Sequence, residues 1–155
     1  MTKVDLYDII NISNKEKVIN LSTKEREVIN MGYTRYWKRT KKAIDEEFVE
    51  FCNEVFKTCE KLGIKICGWD GEGKPTVTTD KISFNGDRAK DLDHETCCLS
   101  NNDEVGFNFC KTARKPYDYA VRTILREALT RGYIKDLSDD GINEEIISDI
   151  EYFER

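Results

Sequence analysis

The chain has 155 residues, of which 39% are hydrophobic and 35% charged, and its formal net charge is −5. This length fits one domain, and the hydrophobic share is enough for a core, which argues against a wholly disordered protein. No stretch approaches the roughly 20 apolar residues of a membrane span, and the N-terminus lacks the apolar run of a signal peptide. We therefore expect a cytoplasmic protein with no membrane partner.

The negative charge is concentrated at the C-terminus. Residues 138–155 hold seven acidic side chains and one basic side chain, whereas the 24 basic and 23 acidic side chains before them sum to +1. A generic acidic DNA mimic would spread its negative charge over the surface, and a wholly basic nucleic-acid binder would have no such acidic segment. The distribution therefore disfavours both of these classes.

The first part of the chain is predicted to be helical. Ser22 and Glu25 form a capping box for a helix that ends at Gly32, and Thr34 can cap a second helix that runs to about Leu62. The apolar residues of this second helix recur in steps of three, four and seven, which indicates an amphipathic helix packed on a core. They are Trp37, Ile44, Phe48, Cys52, Val55, Cys59 and Leu62.

Strand patterns dominate the second part of the chain. They cover 64–69, 76–84, 95–99, 104–111 and 133–137, and in 104–111 Val105, Phe107 and Phe109 alternate on one face. Helices are predicted over 116–131, ending at Gly132, and from about 142. The buried face predicted for helix 116–131 consists of Ala120, Val121, Ile124, Leu125, Ala128 and Leu129. The predicted fold is α+β: N-terminal helices followed by a mostly antiparallel sheet with one βαβ unit and a C-terminal helix. We expect a helical segment over 1–62 and an α+β domain over 63–155, joined in one compact unit.

No complete catalytic or metal-binding constellation is present. His94 is the sole histidine, the six cysteines include no CxxC pair, and Walker A and Rossmann fingerprints are absent. The sequence predicts reduced cysteines, no metal site, no cofactor and no enzymatic activity. A loop containing Asp87, Asp91 and Asp93 is open to two interpretations, a solvated loop or a site for a hard cation.

The first candidate site lies where strand 104–111 meets the following helix. Lys111, Thr112, Arg114 and Lys115 gather at a helix start that has no side-chain cap, so free backbone N–H groups and positive charge would meet there. In a right-handed βαβ unit the loop after strand 133–137 lies at the same edge. We therefore expect a site for an anion or a phosphorylated ligand, completed by Asp139 and Asp140 of that loop. The alternative is that the basic residues of one loop and the acidic residues of the other form salt bridges with each other.

The second candidate site is the start of the predicted long helix. Basic residues come first there and acidic residues follow, which opposes the helix dipole and suggests a partner for the basic end. Nucleic-acid phosphate or an acidic protein would neutralise the positive charge of this helix start. The alternative is a solvated helix face with Trp37 in the core. The predicted partner-binding residues are Arg35, Trp37, Lys38, Arg39 and Lys42.

The segment Phe109-Cys-Lys-Thr-Ala-Arg-Lys-Pro-Tyr-Asp118, with Ile82–Asp87 before it and Ser138–Gly141 after it, resembles small uncharacterised proteins encoded by tailed bacteriophages. The resemblance covers roughly residues 80–141 and supplies no catalytic residues. It implies an accessory protein made in the cytoplasm of an infected bacterium, of the host-takeover or anti-defence type.

From these observations we expect a non-enzymatic protein that binds and modulates a host or phage macromolecule, in the first place a protein. The alternative is a nucleotide or phosphorylated small-ligand sponge that uses the 111–115 and 138–141 loops. The sequence leaves the identity of the partner and the oligomeric state open.

Overall fold

The computed structural model describes residues 33–103 and 106–140. The elements in these ranges are two helices and two small antiparallel sheets, an α+β fold. Residues Tyr33–Asp139 belong to one compact unit. No helix within the described ranges has the length and apolarity to span a bilayer. In chain order the elements are β1 (Thr34–Arg39), α1 (Glu46–Lys61), β2 (Thr76–Val77), β3 (Lys81–Phe84), a short 3-10 turn (Arg88–Lys90), β4 (Cys97–Ser100), β5 (Phe107–Lys111), α2 (Asp118–Arg131) and β6 (Ile134–Asp139).

The first sheet has the strand order β5-β1-β6, and β1 is antiparallel to both of its neighbours. Strands β5 and β6 therefore run parallel to each other with β1 between them, and α2 connects them. Their carboxyl ends lie at the edge of the sheet where β1 begins, since Thr34 pairs with Lys111 and Arg35 with Asp139. This arrangement brings Lys111 and Asp139, at the ends of the two strands, to one edge, although the two strands do not pair with each other.

The predicted helix over 34–62 is wrong in its first third, because residues 34–39 form a central strand. Along β1 the buried Arg35, Trp37 and Arg39 alternate with the partly exposed Tyr36 and the exposed Lys38. Such a period of two belongs to a strand, and aromatic residues favour it. The fold is therefore not a helical segment followed by a sheet, because one strand of the sheet precedes the first described helix.

Helix α1 begins at Glu46, where Asp45 acts as the N-cap and accepts a hydrogen bond from the backbone N–H of Phe48 at 2.9 Å. From this point on the predicted apolar stripe is confirmed: Phe48, Cys52, Val55 and Cys59 are all buried. The sequence predicts a helix start that is too early, because Trp37 and Ile44 continue the spacing of the stripe by coincidence.

Helix α2 packs against α1 and β6, as its buried face predicts. Its buried residues are Ala120, Val121, Ile124, Leu125 and Ala128, whereas Leu129, predicted on the same face, is 43% exposed. Gly132 ends the helix with a φ of 83°, the left-handed conformation that a glycine adopts at low cost. The ring of Tyr133, in the turn after α2, lies 4.7 Å from that of Phe48 in α1, so the two helices share one core with the sheet.

The second sheet has the strand order β2-β3-β4 and corrects two further predictions. The strand predicted over 76–84 is a hairpin, because Thr78 and Lys81 exchange backbone hydrogen bonds and turn the chain between β2 and β3. The strand predicted over 64–69 is reduced to one bridge between Cys67 and Asn85. The single mostly antiparallel sheet that the sequence predicted is therefore two separate sheets.

Two predicted helices, over 22–32 and from about 142, lie outside the described residues. The C-terminal helix is therefore not borne out, and the helices that the structure does describe lie between strands.

Candidate functional site

The two faces of the first sheet have different chemistry. The inner face is buried against α2, and Arg35 of β1 reaches Asp118 of that helix. The outer face presents three aromatic rings from the two adjacent strands β1 and β5. The rings of Tyr36 and Phe107 stack with centroids 5.8 Å apart, and those of Phe107 and Phe109 lie 6.0 Å apart. We call Tyr36, Phe107 and Phe109 the aromatic face.

The two phenylalanines are unusually open to solvent for such large apolar side chains. Phe107 is 63% exposed and Phe109 is 54% exposed, whereas Phe48 and Phe84 are fully buried. The sequence predicted that Phe107 and Phe109 share one face of a strand, but not that this face points away from the helices. The order Gly106-Phe107-Asn108-Phe109 was the missed signal, since a glycine and two alternating aromatic residues also occur in strands that stack bases in RNA-binding sheets.

Lysines surround the aromatic face. In the register of the sheet, Lys38 lies opposite Phe107 on one side and opposite Lys135 on the other. Lys111 follows Phe109 by two residues and so points to the same side of β5. The strand residues of this face thus include three lysines and one carboxylate, Asp136, on a protein whose overall charge is negative.

A second cluster lies at the edge of the inner face, where the predicted anion site was expected. Nε and Nη2 of Arg35 donate to the two carboxylate oxygens of Asp118, each at 2.9 Å, and the Thr112 hydroxyl donates to Oδ1 of Asp118 at 2.8 Å. Nη1 of Arg35 lies 3.6 Å from Oδ2 of Asp139. Strand β1 therefore supplies the cation that joins the start of α2 to the end of β6.

Burial and ion pairing shift the pKa values of Asp118 and Arg35 in opposite directions. Burial would raise the pKa of the Asp118 carboxyl, but the hydrogen bonds and the charge of Arg35 outweigh it and hold the pKa below its usual range. Burial would likewise lower the pKa of Arg35, and Asp118 reverses this, so that the pKa lies above its usual range. Both groups are charged near neutral pH.

The guanidinium of Arg114 makes neither a hydrogen bond nor an ion pair with the described residues. Its charged carbon lies 4.2 Å from the centre of the Tyr33 ring, and its buried Nε has no hydrogen-bond partner among these residues. Ala113 and Arg114 both have left-handed backbone conformations, with φ of 51° and 56°. Burial lowers the pKa of Arg114, although Tyr33 and nearby carboxylates favour its charge.

The expected backbone donors at the start of α2 are already occupied. The N–H groups of Asp118, Tyr119 and Ala120 donate to the carbonyls of residues 115–117, and the backbone itself thus closes the first turn. Nζ of Lys115 donates to the Asp91 carbonyl at 2.7 Å. Asp139 faces Arg35, and Asp140 also has an interaction partner. The predicted residues of this unit come together at one edge, but their side chains do not bind one another. Thr112 binds Asp118, Lys115 binds the Asp91 carbonyl, and Asp139 lies beside Arg35.

The predicted partner-binding residues do not form one surface, because they belong to a strand and the loop after it. Arg35, Trp37 and Arg39 are buried, and only Lys38 projects from the outer face. The Lys42 Nζ donates to the Arg131 carbonyl at 2.6 Å. The predicted site residues thus include two of the lysines beside the aromatic face, Lys38 and Lys111, and none of its rings.

All six cysteines are free thiols, and five of them are buried. Within 33–103 and 106–140 no group of three or more metal-ligating side chains comes together, and this range includes the Asp87, Asp91 and Asp93 loop. The carboxylate of Asp87 instead accepts the backbone N–H of Ala89 at 3.2 Å.

Comparison of the chain with protein-family models, with curated proteins and with solved structures finds no match. Any functional assignment therefore depends on the chemistry of the two clusters described above.

Proposed function

We propose that this protein is a non-enzymatic binding protein whose partner is single-stranded nucleic acid, bound on the outer face of the β5-β1-β6 sheet. The observation that carries this proposal is the exposure of Phe107 and Phe109 beside Tyr36, with ring centroids about 6 Å apart. Unpaired bases stack on aromatic side chains, and each stacked base contributes roughly 1–3 kcal/mol.

The rings are costly to leave in water, and their placement is regular. Exposed apolar patches on a folded protein mark interaction sites, whereas single exposed residues need no explanation. Phe107 contacts both of the other rings of the aromatic face, so the three form one patch. Because they project from strands, their spacing is fixed by the sheet and they lose little conformational freedom when a partner binds.

The charges favour nucleic acid over a protein partner. Lys38 lies opposite Phe107 and Lys111 follows Phe109, so that each phenylalanine has a cation next to it. Alternating rings and cations suit a chain of bases and phosphates, since the bases stack and the phosphates take the positive charge. Binding of this kind is tolerant of sequence, because every base has an aromatic surface.

A role in phage infection is the wider context that we propose. The resemblance of residues 80–141 to phage-encoded proteins supports an accessory factor in an infected bacterium, where unpaired host or phage nucleic acid is its binding partner.

One observation favours a second candidate function, the binding of a nucleotide or phosphorylated ligand at the edge of the inner face. The guanidinium of Arg114 has no ion pair among the described residues. The closed first turn of α2 and the pairing of Asp118 with Arg35 leave such a ligand few further donors. The aromatic face is therefore the stronger candidate.

Binding of labelled oligonucleotides tests the proposal. Fluorescence anisotropy at low salt should show that wild-type protein binds a 12-nucleotide single strand more tightly than a duplex of equal length. Phe107→Ala and Phe109→Ala should each weaken the affinity by about 5- to 150-fold, the loss of one stacked base. Trp69→Ala is the matched control, because Trp69 is 68% exposed but lies in the loop between α1 and β2 and belongs to no strand of this sheet.

The control should bind like wild type. Equal affinity for the single strand in wild type and in the double variant Phe107→Ala/Phe109→Ala would contradict the proposal. Should no oligonucleotide bind, while the same double variant loses a protein captured by wild type, the face is a protein interface and the assignment to nucleic acid is wrong.

A further inference from the structure

We infer that Asp136 forms an ion pair with Lys38 in the free protein and that a phosphate of the bound strand replaces Asp136 in this pair. The inference rests on the proposed function. The Lys38 Nζ lies 3.3 Å from Oδ2 of Asp136, at the centre of the outer face. Asp136 thereby weakens binding, because its carboxylate competes for a lysine of the binding surface.

The backbone of β6 is distorted at the position where this carboxylate stands. Tyr36 pairs with Ser138 but Lys38 pairs with Lys135, so that β1 advances two residues while β6 advances three. The extra residue makes a β-bulge, and Asp136 within it has a φ of 53°. Bulges redirect side chains, and the left-handed conformation is unfavourable for most residues but tolerated by Asp and Asn.

The consequence of the bulge is that a carboxylate stands on a face that otherwise has only neutral and basic strand residues. The flanking outer-face residues of β6, Lys135 and Ser138, carry no negative charge. Opposite Ser138 lies Tyr36, whose ring belongs to the aromatic face. Asp136 is therefore the strand residue on this face that repels a phosphate.

The ion pair is weak enough to exchange. The Lys38 side chain is 49% exposed and that of Asp136 is 62% exposed, and pairs so open to solvent are screened by water and salt. A phosphate brought to this face by stacking on Phe107, which lies opposite Lys38, can replace the carboxylate. Asp136 then moves into solvent with its charge hydrated.

Asp136→Asn is the decisive substitution, since it removes the charge and retains a residue that tolerates positive φ. We expect it to tighten binding of a 12-nucleotide oligothymidylate by about two- to five-fold at low salt. The dependence of log affinity on log salt should steepen by up to about 0.7, the value for one additional phosphate neutralised on a single strand. Asp80→Asn, an exposed acid before β3 in the second sheet, should change neither quantity.

The double variant Lys38→Ala/Asp136→Asn separates the ion pair from a general effect of charge. If Asp136 acts through its ion pair with Lys38, Asp136→Asn should no longer increase the affinity for the oligonucleotide when Lys38 is replaced by Ala. Unchanged or weaker binding by Asp136→Asn would overturn the inference, and so would a full gain in the absence of Lys38. In both cases wild-type binding through the aromatic face would stand, whereas failure of wild type to bind the oligonucleotide overturns the proposed function as well.

Discussion

Among single residues, Arg35 determines how the edge of the sheet is held together. It is buried, binds Asp118 through two hydrogen bonds and lies within 3.6 Å of Asp139. A buried charge that keeps its partner is stable, but one that loses its partner pays the full cost of desolvation. Residues from β1, α2 and β6 therefore depend on one side chain.

Arg35→Ala should lower the free energy of unfolding by about 3 kcal/mol, because it leaves the buried carboxylate of Asp118 uncompensated. Urea denaturation followed by circular dichroism measures this loss. Lys57→Ala is a suitable control: Lys57 pairs with Glu54 at 3.1 Å on an exposed helix surface, where such pairs contribute at most about 0.5 kcal/mol. Similar losses in the two variants would show that the Arg35 pair is no stronger than a surface pair.

The pH dependence of stability should report the same pair. The pKa of Asp118 is lower in the folded protein than in the unfolded chain, so its contribution is complete above the unfolded value of about 4 and is lost as the pH falls through the lower folded value. Asp118→Asn should therefore flatten the fall in unfolding free energy below pH 4. An acid limb identical to that of wild type would contradict this assignment.

Cysteine reactivity should follow burial. Burial raises the pKa of Cys52 and of Cys59 to about 12, so neither thiol forms the reactive thiolate at pH 8 in the folded protein. Cys98 is partly exposed, and we expect iodoacetamide to modify it first. Peptide mass mapping after timed alkylation measures the order, and modification of Cys52 as fast as Cys98 under native conditions would be inconsistent with the described core.

Among the elements, helices were easier to predict than the strand that precedes them. The stripe of α1 from Phe48 onwards, the buried face of α2 and the stop at Gly132 follow from local spacing and turn chemistry. Strand β1 was missed because Trp37 fits the helical spacing of the residues after it, while its pairing with β5 and β6 depends on residues about 70 to 100 positions away. Local patterns carry little information about such distant pairings.

The end of α2 allows a direct test of this local chemistry. Gly132 has a φ of 83° and open space around it, so Gly132→Ala meets no side chain and its cost is that of the backbone alone. We expect a loss of about 1 kcal/mol in unfolding free energy. Gly106→Ala, which also has open space but no positive φ, should cost nothing. Equal effects would mean that backbone conformation does not determine the end of the helix.

For the whole molecule, the informative feature is which face of the sheet the helices cover. The alternation of Phe107 and Phe109 predicts that they share a face, but hydrophobicity alone assigns that face to the core. The structure turns them outwards because α2, the connection between β5 and β6, covers the opposite face. The direction of the strands predicts that the ends of β5 and β6 meet near Arg35. The exposure of the aromatic face follows only from how the complete unit packs.

The most direct measurement of the central claim is the response of individual aromatic rings to a single strand. In a two-dimensional NMR titration with oligothymidylate, ring resonances of Tyr36, Phe107 and Phe109 should shift together with one dissociation constant, because stacked bases alter the magnetic field at each ring. Resonances of the buried Phe48 and of Trp69 in its loop should stay in place. Shifts confined to Trp69, or unchanged resonances of Phe107 and Phe109 at saturating oligonucleotide, would contradict binding on the aromatic face.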